Sequence, residues 1–135
     1  MDGIDQCVTS YNDAGVAVIT LNRGEEGNRL NREILSGLLN ALQDAQAQET
    51  VRVIVLRSNQ NTFSLGMDFS RLQKAENMEK EAQGAISLYS EVLTTIFNAS
   101  KPVLCCVSGD VKAGGVGIVA ATDVVLATTQ ASFQL

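Results

Sequence analysis

The stretch Val103-Leu-Cys-Cys-Val-Ser-Gly-Asp-Val-Lys-Ala-Gly-Gly-Val-Gly-Ile-Val-Ala-Ala-Thr-Asp-Val-Val-Leu-Ala127 decides the fold. An apolar, β-branched run from Val103 to Val107 leads into the loop Ser108 to Ala113. Gly114-Gly115-Val116-Gly117 then opens an apolar helix, and a second apolar run reaches Ala127. Short apolar strands alternating with a helix imply parallel strands joined by a crossover. Glycines at the start of a helix leave backbone N–H groups uncovered and let a ligand approach the main chain closely. Such a loop can hold an anion, or an oxyanion as it develops on a thioester carbonyl.

Outward from this stretch, the same alternation continues. Pro102 opens the strand, and Ile86, Tyr89, Leu93, Ile96 and Phe97 form a helical stripe before it. Val51 to Leu56 reads as a strand whose near-continuous apolar character suits burial on both faces. Asn59 to Leu65 reads as a polar loop ending at Gly66. Ile34, Leu35, Leu38, Leu39, Leu42 and Ala45 have helical spacing, with Asn31 as N-cap and Glu33 in the first turn. Arg23 to Arg29 is a polar, glycine-containing loop. Gln6 to Tyr11 and Val16 to Leu21 make an N-terminal hairpin around Asn12-Asp13-Ala14-Gly15. Ala131 to Leu135 reads as the start of a further strand. The predicted order is ββαβ(α)αβαβ, an α/β domain spanning residues 1–135 with no internal sequence repeat. The abrupt end on that strand leads to the expectation of a fragment of a larger chain.

Composition narrows the function. The 135 residues are 45% hydrophobic and 19% charged, which is globular rather than disordered. The net charge of −5, with ten scattered basic residues, disfavours nucleic acid as a partner. The chain has no histidine, which removes Ser-His-Asp and Cys-His catalysis and nearly all zinc sites. Three cysteines, two of them adjacent in a strand, argue against a disulfide framework and for a reducing, cytoplasmic setting. The first residues carry no basic segment or long apolar run, so neither a secretory signal nor a membrane span is expected.

Two glycine bends carry the candidate chemistry. One is Gly114-Gly115-Val116-Gly117; the other is Asn61-Thr-Phe-Ser-Leu-Gly-Met-Asp-Phe-Ser70, which follows a strand and opens a helix through Asp68. Each has a structural alternative. The first also fits the dinucleotide fingerprint through Gly115, Gly117 and Ala120, although Ser108 to Ala113 separate these glycines from the strand. It would equally allow close helix–strand packing. Asp68 can act on a proton or cap its helix, and Asp123 suits a capping or turn role. Tyr11 and Tyr89 fall on packing faces. Cys105 and Cys106 read as small buried residues, since no histidine is present to activate a thiolate. Arg23, Arg29 and Lys101 are solvated charges or phosphate contacts.

Taken together, Val16-Ala-Val-Ile-Thr-Leu-Asn22, Phe63-Ser-Leu-Gly-Met-Asp68, Lys101-Pro-Val103 and the glycine loop resemble the crotonase (enoyl-CoA hydratase/isomerase) superfamily. The resemblance spans nearly the whole chain. It implies the N-terminal portion of a ββα spiral, without the helical trimerisation region, and a homotrimer or hexamer in the full-length form. It also implies an oxyanion hole from the backbone N–H groups of Met67 and Gly114, with Leu65, Gly66 and Gly115 lining the substrate. Two departures matter. The glutamate that many hydratases carry in the helix after the loop corresponds to Gly117, which cannot transfer a proton. The family's second acid follows the strand that begins at Ala131 and is expected just beyond Leu135.

Within the superfamily, Gly109-Asp-Val-Lys-Ala-Gly-Gly-Val-Gly-Ile-Val119 most resembles the branch that dehydrates 3-hydroxy-3-methylglutaryl thioesters on acyl carrier proteins in polyketide β-branching. The implied substrate rides on phosphopantetheine of a carrier protein or on CoA, with no separate cofactor and no metal. Lys112 beside the loop can pair with the distal carboxylate of such a substrate. The alternatives are a CoA-thioester hydratase or isomerase, and a non-catalytic acyl-thioester-binding homologue.

Overall fold

The computed structural model describes residues 6–74 and 76–135, without the side chains of residues 71 and 72. Within these residues, eight strands and four helices follow one another: β1 (Val8–Asp13), β2 (Val16–Leu21), α1 (Arg32–Ala47), β3 (Val53–Ser58), β4 (Thr62–Ser64), α2 (Phe69–Lys74), α3 (Met78–Phe97), β5 (Val103–Val107), β6 (Asp110–Lys112), α4 (Gly114–Ala121), β7 (Val124–Ala127) and β8 (Ser132–Gln134). A short 3₁₀ turn lies at Gly24–Glu26.

The hairpin closes over Ala14 and Gly15, both at positive φ (49° and 87°), which matches the twist of its antiparallel strands. The turn is therefore tighter than the four residues expected, and β1 runs on to Asp13. From β2 onward, every strand pairing among the described residues is parallel. The large sheet has the order β1-β2-β3-β5-β7, and the small sheet β4-β6-β8. Each circuit thus places one strand in each sheet before returning through a helix: β3-β4-α2-α3, then β5-β6-α4, then β7-β8. This is the ββα spiral. The sequence carries no matching repeat because each circuit meets different neighbours and needs only apolar alternation.

The core fills the space between the two sheets and the helices. Ile19, Leu21, Ile54, Leu56, Val103 and Cys105 project from one face of the large sheet onto Leu35, Leu38 and Leu42 of α1 and Val92 and Ile96 of α3. Burying each such side chain contributes roughly 1.5–3 kcal/mol. Asn31 caps α1 as expected, its side chain accepting from the Ile34 N–H at 3.0 Å. Lys101 closes the other end, its Nζ donating to the carbonyls of Ala45 (3.0 Å) and Gln48 (2.6 Å).

Several expectations need correction. Asn59 to Leu65 is not wholly loop: it contains β4, with Phe63 buried in the core. Aromatic Phe63 is sandwiched between polar residues, and three residues are too few to show a period. β3 buries one face only, with Arg57 exposed on the other. The α3 stripe is rotated. Ala85, Val92 and Ile96 are buried, whereas Ile86 and Phe97 are exposed, because α1 packs on the face centred on Val92. Tyr11 is 56% exposed rather than packed, since it lies on the outer edge strand.

Asn28, unremarked in the sequence, organises the loop between β2 and α1. It is wholly buried at φ 44°, a conformation asparagine tolerates better than most residues. Its Oδ1 accepts from the Arg23 N–H at 2.7 Å, and its Nδ2 donates to Ser58 Oγ (2.8 Å) and the Phe63 carbonyl (2.9 Å). Ser64 Oγ in turn donates to the Asn28 carbonyl at 2.9 Å. One amide therefore ties β3, β4 and the 23–28 loop together. Asn28→Ala leaves several of these buried groups unpaired, and urea unfolding should show a loss of about 2–4 kcal/mol. A loss below about 0.5 kcal/mol would contradict this role.

Candidate active site

The two glycine bends meet. Gly66 has φ 93°, and a Cβ built on it would stand 3.0 Å from Ala113 Cβ, 3.2 Å from the Lys112 carbonyl oxygen and 3.3 Å from the Gly114 nitrogen. Gly115 is buried from the other side, its would-be Cβ only 2.7 Å from the Ser64 carbonyl oxygen. The segments Ser64–Met67 and Lys112–Gly115 thus abut through glycines, because any side chain between them would hold them apart. Parallel pairing of β4 with β6, bulged between Thr62 and Ser64, delivers both segments to this point.

Backbone direction is set on each side. Leu30 and Met67 form a parallel bridge in which the Leu30 N–H donates to the Gly66 carbonyl (2.8 Å) and the Asp68 N–H to the Leu30 carbonyl (3.1 Å). In such a bridge the N–H of Met67 itself faces away from Leu30. Opposite, Gly114 supplies the first amide of α4, one of the N–H groups that an α-helix leaves without an internal acceptor. Ala113 precedes it at φ 49°, ψ −121°, a strained geometry for a residue with a side chain. Its N–H donates to the Gln134 carbonyl of β8 at 2.8 Å, and its carbonyl accepts from Val116 at 3.0 Å. This arrangement can present two N–H donors to one oxygen.

Next to the first bend, on the side of Asp68, lies a cleft of about 520 Å³, lined by Arg23, Arg29, Asn31, Glu33, Asp68 and Phe69 among others. A smaller cavity of about 120 Å³ adjoins it between α1, α3 and Met67. Asp68 immediately precedes α2, and its Oδ1 accepts from the Ser70 hydroxyl at 2.5 Å. Leu65 is half-buried against Gly27, its N–H bonded to the Gly27 carbonyl at 2.9 Å. Lys112 is exposed, on the face of β6 opposite buried Val111, two residues before Gly114. Asp123 is structural: its Oδ2 accepts from the Val103 N–H at 2.8 Å and ties β7 to β5. Arg23 and Arg29 reach the cleft, whereas Lys101 caps α1.

Two residues depart from their predicted roles. Cys106 is half-buried rather than enclosed; only Cys105 is fully within the core. Tyr89 is more than packing. Its hydroxyl donates to the Gly114 carbonyl at 2.7 Å, so a residue of the helical stripe contacts the loop directly. Neither this bond nor the bonds from Asn28 to Ser58 and Phe63 have a local signature, since each joins residues far apart in the chain.

Among the described residues, no group of three or more His, Cys, Asp or Glu side chains clusters as a metal site. No helix among them is long and apolar enough to cross a membrane.

Two measurements check this geometry. Gly66→Ala places a Cβ against Ala113 and the Gly114 nitrogen at an unfavourable positive φ. It should lower the melting temperature by several degrees; a variant that melts with the wild type would refute the close approach. Burial, with Cys106 adding to it, pushes the Cys105 thiol up to about 12 from its ordinary 9.0. The folded thiol stays neutral where the unfolded one ionises, so this stabilisation is complete below pH 9.0 and lost as pH rises toward about 12. Cys105→Val should flatten that part of the alkaline stability profile.

The sequence profile of the enoyl-CoA hydratase/isomerase family matches residues 11–135. The dehydratase PksH of bacillaene synthase from Bacillus subtilis is 32% identical over 123 residues, covering 90% of this chain and 47% of that protein. The trans-2-decenoyl-[acyl-carrier-protein] isomerase of Streptococcus mutans is 30% identical over 127 residues, covering 91% and 48%. The crystal structure of an enoyl-CoA hydratase/isomerase from Xanthobacter autotrophicus Py2 superposes with a TM-score of 0.87 at 27% identity, covering 95% and 48%. The chain spans about half the length of these relatives. With the spiral fold and the paired bends already in place, the chain belongs to the enoyl-CoA hydratase/isomerase (crotonase) family.

Proposed function

We propose that this chain forms the acyl-thioester-binding portion of a dehydratase acting on 3-hydroxy-3-methylglutaryl carried by an acyl carrier protein. The observation that carries this reading is the abutment of the Gly66 and Gly114 bends. The N–H groups of Met67 and Gly114 grip the thioester carbonyl oxygen. A base removes the proton from C2, and the negative charge moves to that oxygen as an enolate. Electrons then return, C2=C3 forms, and the C3 hydroxyl leaves as water after taking up a proton, giving the 3-methylglutaconyl thioester. Two preorganised donors lower the enolate barrier, each contributing about 3 kcal/mol in comparable sites.

Gly117 supports dehydration by a single acid/base group over two-carboxylate hydration. The similarity to a PksH dehydratase points the same way. The acid/base group is expected from the segment that follows β8. The Gln134 carbonyl already holds the Ala113 N–H at 2.8 Å, so a chain leaving this strand starts beside the loop. Phosphopantetheine would run through the cleft bearing Arg23 and Arg29, and the full-length protein would assemble as a trimer or hexamer. Lys112 would take the distal carboxylate.

Full-length protein incubated with the 3-hydroxy-3-methylglutaryl carrier protein should release one water from the acyl chain by mass spectrometry. Turnover of crotonyl-CoA alone would instead establish a hydratase, and binding without turnover a non-catalytic homologue. Lys112→Met should raise KM for the carboxylated substrate about tenfold or more, as for loss of a charge-assisted hydrogen bond, and leave an uncharged acyl thioester unaffected.

A further inference from the structure

Gly117 and Tyr89 are complementary. A Cβ built on Gly117 would stand 2.1 Å from the Tyr89 hydroxyl oxygen and 3.3 Å from Cζ. The phenol therefore occupies the space through which any side chain at 117 would have to leave the helix. The same hydroxyl donates to the Gly114 carbonyl at 2.7 Å, and the edge of the ring lies beside Gly114, 3.6 Å from its would-be Cβ. Tyr89 sits on α3, a helix anchored in the core by Ala85, Val92 and Ile96. Burial raises its pKa above the ordinary value, so it remains a neutral donor at physiological pH.

The geometry points to Tyr89 as the positioning residue of the glycine loop: its phenol holds the Gly114–Gly115 peptide, next to the one that carries the Gly114 N–H, in place from α3 and requires glycine at 117. This rests on the oxyanion-hole reading for its catalytic consequence. The coupling between Tyr89 and Gly117 stands on the structure alone. The lack of a carboxylate at 117 and the alignment of the Gly114 N–H then have one cause. A glutamate at 117 collides with the group that orients the loop, so the site accommodates one arrangement or the other. The Gly114 carbonyl is held by a hydrogen bond from outside its own helix, which limits rotation of the flanking peptides where glycines would otherwise be permissive.

The test is a double-mutant cycle in the full-length protein with Tyr89→Phe, Gly117→Ala and the pair. Tyr89→Phe removes one neutral hydrogen bond and should lower kcat about three- to tenfold with KM within about twofold. It should also shrink the red shift of bound para-dimethylaminocinnamoyl-CoA, whose absorption reports polarisation of its thioester carbonyl. Gly117→Ala displaces the phenol and should reproduce both losses when Tyr89 is intact, but add nothing to the Tyr89→Phe variant. Thermal unfolding gives a substrate-free readout. Alanine is the better helix former, so a melting temperature lowered by Gly117→Ala with Tyr89 present runs against propensity. Relief of that loss by Tyr89→Phe supports the coupling. An unchanged red shift and kcat in Tyr89→Phe, or equal effects of Gly117→Ala with and without the phenol hydroxyl, overturns the inference. A wild-type protein that binds the probe without a red shift overturns the oxyanion-hole reading instead, while the melting-temperature cycle still decides the coupling.

Discussion

Close approach of two backbone segments is the constraint on which the rest of this structure depends. Ser64–Met67 and Lys112–Gly115 come from successive circuits of the spiral and touch through Gly66 and Gly115, where a single Cβ would lie within 3.0 Å of the facing segment. A contact so intolerant of added atoms has to be held from outside. The spiral supplies that hold: β4 and β6 are neighbours in the small sheet because β3 and β5 are neighbours in the large one. The hydrophobic core that joins these sheets to α1 and α3 therefore fixes the backbone arrangement, and core residue Leu30 takes part in it directly through its bridge to Met67.

Polar groups refine what the core sets up. Asn28 ties the 23–28 loop to β3 and β4, and Leu30, two residues later, bridges Met67. This turns the Met67 peptide away from the loop. On the opposite side, the Gln134 carbonyl and the Tyr89 hydroxyl hold the residues flanking the start of α4, one through Ala113 and the other through Gly114. Chemistry that relies on backbone amides needs this support. A peptide group has no side-chain rotamer to adjust, and its aim is only as good as the elements behind it.

Much of the fold was legible in the chain. Strands β2 and β5, the N-cap at Asn31 and the apolar face of α1 have strong local signals, because alternation, capping and helical spacing act over a few residues. The short strands β4 and β6 were not legible. At three residues each they carry no period, and they become strands only when laid side by side. The orientation of α3 escaped for a related reason: apolar residues surround it, so the face chosen for burial depends on α1.

For the site the division is the same. The amino-acid sequence by itself determined that glycine-rich bends follow apolar strands, that no histidine is available and that residue 117 has no carboxylate. Only the tertiary structure decided that Gly66 meets Gly114, that Asn28 underpins the first bend and that the Tyr89 hydroxyl fills the space at Gly117. Local propensity acts between residues near in the chain. The peptides of the glycine loop are held by contacts from residues more than 20 positions away, Gln134 on Ala113 and Tyr89 on Gly114. Those contacts exist only once the spiral has closed.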